Sequence, residues 1–294
     1  YADDKNLLKV LDFMINDNGL KDFIVNLDKL IEILDKKDLK ASKKLSDAMK
    51  ASRKELNKIH QNIKLVHMKC NEIGENMDFK FLFNEGRQLF HIGFDVEKGS
   101  CDGSYYDLLA SEARQASFVA IAKGDIDQYN WFNLGRSLTS INKSNGLISW
   151  SGTMFEYLMP LLIMKRYPDT LLDRTYDFVV KTQKYYGDIK NVPWGISESG
   201  FYTFDVGLNY QYKAFGVPGI GLKRGLLDDL VIAPYASVMA LQVDEKNAFN
   251  NIKRLIKEGF QGRYGLYEAI DFTKGRIPKD KKFAIVKSFM VHHE

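Results

Sequence analysis

Carboxylates beside aromatic rings are the chemistry this sequence offers. The segment Asn191-Val192-Pro193-Trp194-Gly195-Ile196-Ser197-Glu198 sets a carboxylate four residues after a tryptophan, where Pro and Gly resist regular structure. An aromatic wall desolvates a carboxyl group and favours its acid form, as a general acid requires. Capping a helix or binding loop amides would use Glu198 equally well. Further along, Gly262-Arg263-Tyr264-Gly265-Leu266-Tyr267-Glu268-Ala269-Ile270-Asp271 holds two carboxylates three residues apart, flanked by Tyr264 and Tyr267. Glycosyl transfer needs one carboxyl group to protonate the leaving oxygen and another to attack the anomeric carbon or activate water, and either role suits Glu268. The plainer alternative pairs Arg263 with Asp271 and leaves the segment to shape the rim of the fold.

Glu156 reads differently. Thr153-Met154-Phe155-Glu156 stands directly before an apolar run, the spacing of a capping box, so Glu156 is expected to support the site or bind substrate. Trp150 and Trp194 lie in Gly/Ser/Pro-rich stretches, where loops are expected and a ring face could stack on a pyranose. Ser104-Tyr105-Tyr106-Asp107 looks like another helix start, with Glu112 and Arg114 expected to form ion pairs in the core. Arg224 could donate to sugar hydroxyls or sit in a solvated turn, while Asp229 suits a helix start. His292-His293 offers no metal site, because adjacent side chains on a helix diverge by roughly 100 degrees. The glycines of 216–221 form neither a P-loop nor a dinucleotide fingerprint, so no metal or cofactor is expected.

The elements that must position these residues follow from composition. The first 76 residues hold three aromatics, Tyr1, Phe13 and Phe23, and the other 34 fall after them. Apolar stripes Leu7-Leu8-Leu11-Ile15, Phe23-Leu27-Leu30-Ile31-Leu34 and Leu56-Ile59-Ile63-Val66-Cys70 predict two or three amphipathic helices over 1–76. Beyond them, helical spacing covers about 105–123, 127–134, 153–166, 170–187, 228–243, 244–258 and 281–294. A hairpin is expected across Asn84-Glu85-Gly86. Long loops at 138–152, 188–207, 216–225 and 259–277 carry the chemistry-capable residues. Helices alternating with such loops suggest an α/α barrel over 77–294, whose loops collect at one end as a pocket.

A net charge of +4, from 42 basic and 38 acidic residues, gives no single-sign field for a nucleic acid. Cys70 and Cys101 are too few for a disulfide framework. The longest apolar run, Met159 to Met164, is far short of a membrane span, so a soluble piece of a longer protein is expected, starting at Tyr1.

Six ordered runs resemble cyclic β-1,2-glucan synthases: Ser104-Tyr-Tyr-Asp-Leu-Leu-Ala-Ser-Glu-Ala-Arg114, Ser149-Trp-Ser-Gly-Thr-Met-Phe-Glu-Tyr-Leu-Met-Pro160, Val192-Pro-Trp-Gly-Ile-Ser-Glu-Ser199, Phe215-Gly-Val-Pro-Gly-Ile-Gly-Leu-Lys-Arg-Gly225, Asp228-Asp-Leu-Val-Ile-Ala-Pro-Tyr235 and Gly262-Arg-Tyr-Gly-Leu-Tyr-Glu-Ala-Ile-Asp271. The resemblance implies the central glucoamylase-like domain of that membrane enzyme, an all-α (α/α)6 barrel that closes linear β-1,2-glucan into rings by retaining transglycosylation. It implies neighbouring glycosyltransferase and phosphorylase-like domains and a place at the cytoplasmic face of the inner membrane. The acidic positions it carries over are Glu198 and Glu268 as the catalytic pair, with Glu156 and Asp271 beside them. Family members continue past the paired histidines with Gln-Gly-Met where this chain ends at Glu294, so the last barrel helix is expected to be incomplete. A β-1,2-glucan hydrolase and a glucan-binding module without turnover are the alternatives.

Overall fold

Leu27, Leu30, Ile31 and Leu34 bury one face of helix α1 (Leu20–Asp35), as their spacing predicts. Helix α2 (Lys40–Asn76) presents the small buried residues Ser42 and Ser46. Asp35 meets Ser46 and Lys50 while Asp28 forms a two-pronged pair with Arg53, so the two helices run antiparallel. The third apolar stripe also lies on α2, with Ile59, Ile63, Val66 and Cys70 exposed. The computed structural model describes residues 9, 12, 19–37 and 39–289, which leaves the stripe Leu7-Leu8-Leu11-Ile15 outside the described residues. These helices belong to one of two units, Tyr1–Asp78; the other is Phe79–Glu294. No helix among the described residues is long and apolar enough to cross a membrane.

The second unit has six α-helices among its described residues: α3 (Arg114–Lys123), α4 (Tyr129–Asn133), α5 (Met154–Leu158), α6 (Leu171–Lys190), α7 (Pro234–Met239) and α8 (Glu245–Lys257). Helix α6 starts at Thr170, whose side chain accepts from the Asp173 amide, and ends at Asn191 in the left-handed conformation, φ 54°. It buries Tyr176, Phe178, Val179 and Val180 in the main core. Gly187 is required where the helix meets Trp194, since a Cβ there would lie 2.9 Å from the Trp194 Cβ. Helix α8 is capped by Asp244, which accepts from the Asn247 amide at 3.1 Å.

The all-α expectation is corrected by six small antiparallel sheets among the described residues, one of which pairs β3 (Phe94–Asp95) with β4 (Ser100–Cys101). The hairpin expected across 84–86 is present, as β1 (Phe83–Asn84) with β2 (Leu89–His91). Strand β5 (Tyr105–Tyr106) also pairs with β2, so the helix expected from 105 begins only at Arg114: sheet pairing overrides the local pattern. The helix expected over 228–243 is shortened to α7 because Pro234 lacks an N–H and holds Ala233 extended, after strand β10 (Val231–Ile232). The run 153–166 divides at Pro160, where α5 gives way to a 3-10 turn, Met159–Leu162.

Within 281–294 the structure places strand β14 (Ala284–Val286), which hydrogen-bonds to β13 (Ala269–Asp271). Its buried, half-buried, buried alternation has a period of two, not the helical period expected. His292 and His293 lie outside the described residues. The expected loops 138–152 and 259–277 contain hairpins of their own, β6 (Leu138–Ile141) with β7 (Ser144–Leu147) and β11 (Gln261–Gly262) with β12 (Gly265–Leu266), while 188–207 ends in β8 (Ser199–Phe204), which pairs with β9 (Tyr210–Lys213) beyond it.

Candidate active site

A cavity of about 480 Å³ opens in the second unit, lined by Tyr105, Tyr106, Asp107, Ser111 and Glu112 from one segment, Trp150, Ser151, Thr153 and Glu156 from another, and Glu198 and Ala214 from the two ends of the β8–β9 hairpin. Its wall is built by two loops lying against each other. The Ser149 amide donates to Ile220 O at 3.0 Å, the Leu222 amide to Ser149 O at 3.1 Å, and the Lys223 amide to Trp150 O at 2.8 Å. Only glycine allows this approach, since a Cβ on Gly216 would lie 1.6 Å from Ser151 O. The Tyr157 hydroxyl accepts from the Ser149 amide and lies 2.9 Å from both Leu147 O and Ile220 O, tying the wall to β7. Trp150 keeps 60% of its surface exposed at the cavity.

Glu156 forms the capping box with Thr153 that the spacing predicts. Its carboxyl accepts from Ser149 Oγ at 2.6 Å, from the Ser151 amide at 2.9 Å and from the Thr153 amide at 3.2 Å. Burial raises its pKa from the ordinary glutamate value against these hydrogen bonds. These donors tie Glu156 to the Ser149–Thr153 segment of the cavity lining.

Glu198 is half-buried, on a segment held from several sides. The Gln183 side chain brackets the Ile196 peptide, with both contacts at 2.8 Å. The Tyr235 hydroxyl donates to Glu198 O at 2.9 Å and lies 2.8 Å from Ser197 Oγ, which accepts from the Phe155 amide. Glu268 Oε1 accepts from the Gly200 amide at 2.8 Å. Burial raises the pKa of Tyr212 and of Tyr235, and the negative charges of Glu198 and Glu268 add to both shifts. Both glutamates thus act electrostatically on the same pair of phenols.

The other expected residues fall elsewhere. Glu268 is 5% exposed and is not among the residues lining the cavity. Trp194, expected in a pocket loop, is also 5% exposed and belongs to the main core. The segment is a loop, but the Asn251 side chain satisfies both polar groups of the Trp194 peptide, at 2.7 Å and 3.2 Å, so it can be buried. Asp271 is fully buried on β13 and pairs with Arg276 at 2.7 Å, in place of the Arg263 considered from sequence; Arg276 also binds Asp229. Tyr264 and Tyr267 pack against Phe289, and Arg224 is exposed beside a small crevice at Lys213–Asp229, away from the cavity lining.

Asp107 and Glu112 are the cavity carboxylates that sequence reasoning missed. Reading 105–123 as one helix made Asp107 a cap residue and Glu112 the ion-pair partner of Arg114. Arg114 instead donates to main-chain oxygens of Ser111, Glu156 and Tyr157. Ser111 Oγ lies 3.3 Å from Glu112 Oε2, and the charge of Glu112 contributes, after burial, to raising the pKa of Tyr106. The available signal was the density of tyrosine and acid in Tyr105-Tyr106-Asp107 and Glu112.

Residues 104–294 match the family described as "Putative glucoamylase" (Glycoamylase). Over 235 residues, 80% of this chain, the sequence is 45% identical to the cyclic β-(1,2)-glucan synthase NdvB of Rhizobium meliloti, of whose length the match spans 8%. The resemblance read from the six motifs thus holds along most of the chain. An endo-β-1,2-glucanase from Talaromyces funiculosus, solved with sophorose, shares the fold at a TM-score of 0.55 and 14% identity, over 90% of this chain and 54% of that one. A mutant of the same glucanase, solved with β-1,2-glucan, matches equally. The helical second unit is glucoamylase-like in fold, and the chain belongs to the Glycoamylase family.

Proposed function

We propose that this chain acts on β-1,2-glucan in the cavity beside Trp150, transferring glucan segments with retention of configuration as the cyclising domain of a larger enzyme. The single observation that carries this reading is the opening of Glu198 and Glu112 into one aromatic-lined cavity. Two carboxyl groups at one glycosidic bond supply the proton for the leaving oxygen and the attack on the anomeric carbon. Glu112 takes the place beside Glu198 that the sequence reading gave to Glu268, because Glu112 lines the cavity. Glu156 is spoken for by its cap.

The product named in the relative supports retention. Closing a linear β-1,2 chain into a β-1,2 ring exchanges one β-linkage for another, which two successive displacements achieve. The six described α-helices of the second unit are read as part of an (α/α)6 toroid, which needs twelve, and the chain works beside a glycosyltransferase domain and a phosphorylase-like domain at the inner face of the membrane.

Hydrolysis is a second reading, favoured by the shared fold of the endo-β-1,2-glucanase. The two outcomes differ in whether water or a sugar hydroxyl reaches the glycosyl-enzyme intermediate. Glu112→Gln and Glu198→Gln should each lower turnover of linear β-1,2-glucan by about 100- to 10,000-fold. Azide added to the corresponding alanine variants identifies the attacking carboxyl group, since its variant gives a glycosyl azide of inverted configuration. Undiminished turnover in either glutamine variant removes that residue from the pair.

A further inference from the structure

Glu198 is held by a backbone clamp whose far jaw is Glu268. Strand β13, which Glu268 precedes, is the middle strand of a buried three-stranded sheet, and the Glu268 amide donates to Ser288 O at 2.9 Å. From this fixed base its carboxylate accepts from the Gly200 amide, two residues beyond Glu198. Gly200 has little room to shift, since a Cβ there would lie 3.3 Å from both Glu268 Cγ and Val286 Cγ1. The near jaw is Tyr235 of α7, on the Glu198 carbonyl itself.

We propose that Glu268 is a positioning residue for Glu198: by gripping the Gly200 amide it fixes the start of β8 and so aims the Glu198 carboxyl group into the cavity. This rests on the reading of Glu198 as a reacting group and adds a role for a buried acid that lies behind the lining. A charged acceptor on a main-chain amide is a strong hydrogen bond, and misplacing a reacting group by about 1 Å costs on the order of 100-fold in rate.

The test compares Glu268→Gln, which keeps an oxygen for the Gly200 amide, with Glu268→Ala, which removes it. The alanine variant should lose about 100-fold in kcat with KM little changed, while the glutamine variant recovers most of the loss. Hydrogen exchange at the Gly200 amide, followed by NMR, should quicken in the alanine variant and stay slow in the glutamine variant. A glutamine variant as inactive as Glu198→Gln would make Glu268 a reacting group and overturn the proposal, as would unchanged Gly200 exchange in the alanine variant. Exchange needs no turnover, so a wild-type chain inert on β-1,2-glucan would sink the functional reading and still leave the clamp scored.

Discussion

Arg114 Nη1 donates at 3.0 Å to the carbonyl oxygen of Glu156, the oxygen that Pro160, having no N–H, leaves without its helical donor. Nη2 takes the next carbonyl, Tyr157 O, at 2.7 Å, so one buried guanidinium closes the C-terminal end of α5 and steadies the segment that carries Glu156. Arg114→Met should therefore destabilise the protein by about 2–4 kcal/mol, because two buried carbonyls lose charged donors. Urea unfolding measures this; a loss below about 1 kcal/mol would mean water replaces the guanidinium.

The two tryptophans should separate binding from stability. Trp194→Ala removes a core ring and should cost about 3–5 kcal/mol with affinity retained in the folded fraction. Trp150→Ala should leave the melting temperature nearly unchanged and weaken binding of β-1,2-gluco-oligosaccharides by about tenfold or more. Calorimetry of both variants reads the two effects, and a reversed pattern would put the sugar at Trp194.

These two residues also mark what the sequence could reveal. Both sit among glycines, serines and prolines, and nothing local distinguishes them. The Trp194 peptide is satisfied by Asn251, 57 residues away, a long-range partner that spacing cannot show. The capping box of Glu156 was legible because all its parts lie within four residues. Helices α6 and α8 were legible for the same reason, whereas β5 and β14 depend on distant partner strands. The β6–β7 turn escaped because Asn142 and Lys143, both at positive φ, carry no glycine signal. Glu198 was found from its setting beside Pro and Gly, although the tryptophan that drew attention to it faces the core.

The buried cap should leave a pH signature. Burial raises the Glu156 pKa in the folded state, so the folded protein holds this proton more tightly than the unfolded chain. The resulting stability is fully present below the ordinary glutamate pKa and is lost as pH rises through the folded value. Glu156→Gln cannot titrate. The margin by which wild type exceeds Glu156→Gln in urea unfolding should narrow as pH rises through that window. A constant margin would mean that the folded and unfolded chains hold this proton equally and that burial does not raise the pKa.

Product analysis by mass spectrometry on linear β-1,2-glucan tests the central claim most directly, with wild type and Glu198→Gln compared in parallel. Ring closure gives products lighter by one water than linear chains of equal length and without a reducing end, whereas hydrolysis gives shorter linear chains with new reducing ends. The account predicts water-deficient rings from the wild type and untouched substrate from Glu198→Gln. Equal processing by both proteins, or an intact β-1,2-glucan beside a degraded β-1,3- or β-1,4-glucan, would contradict it.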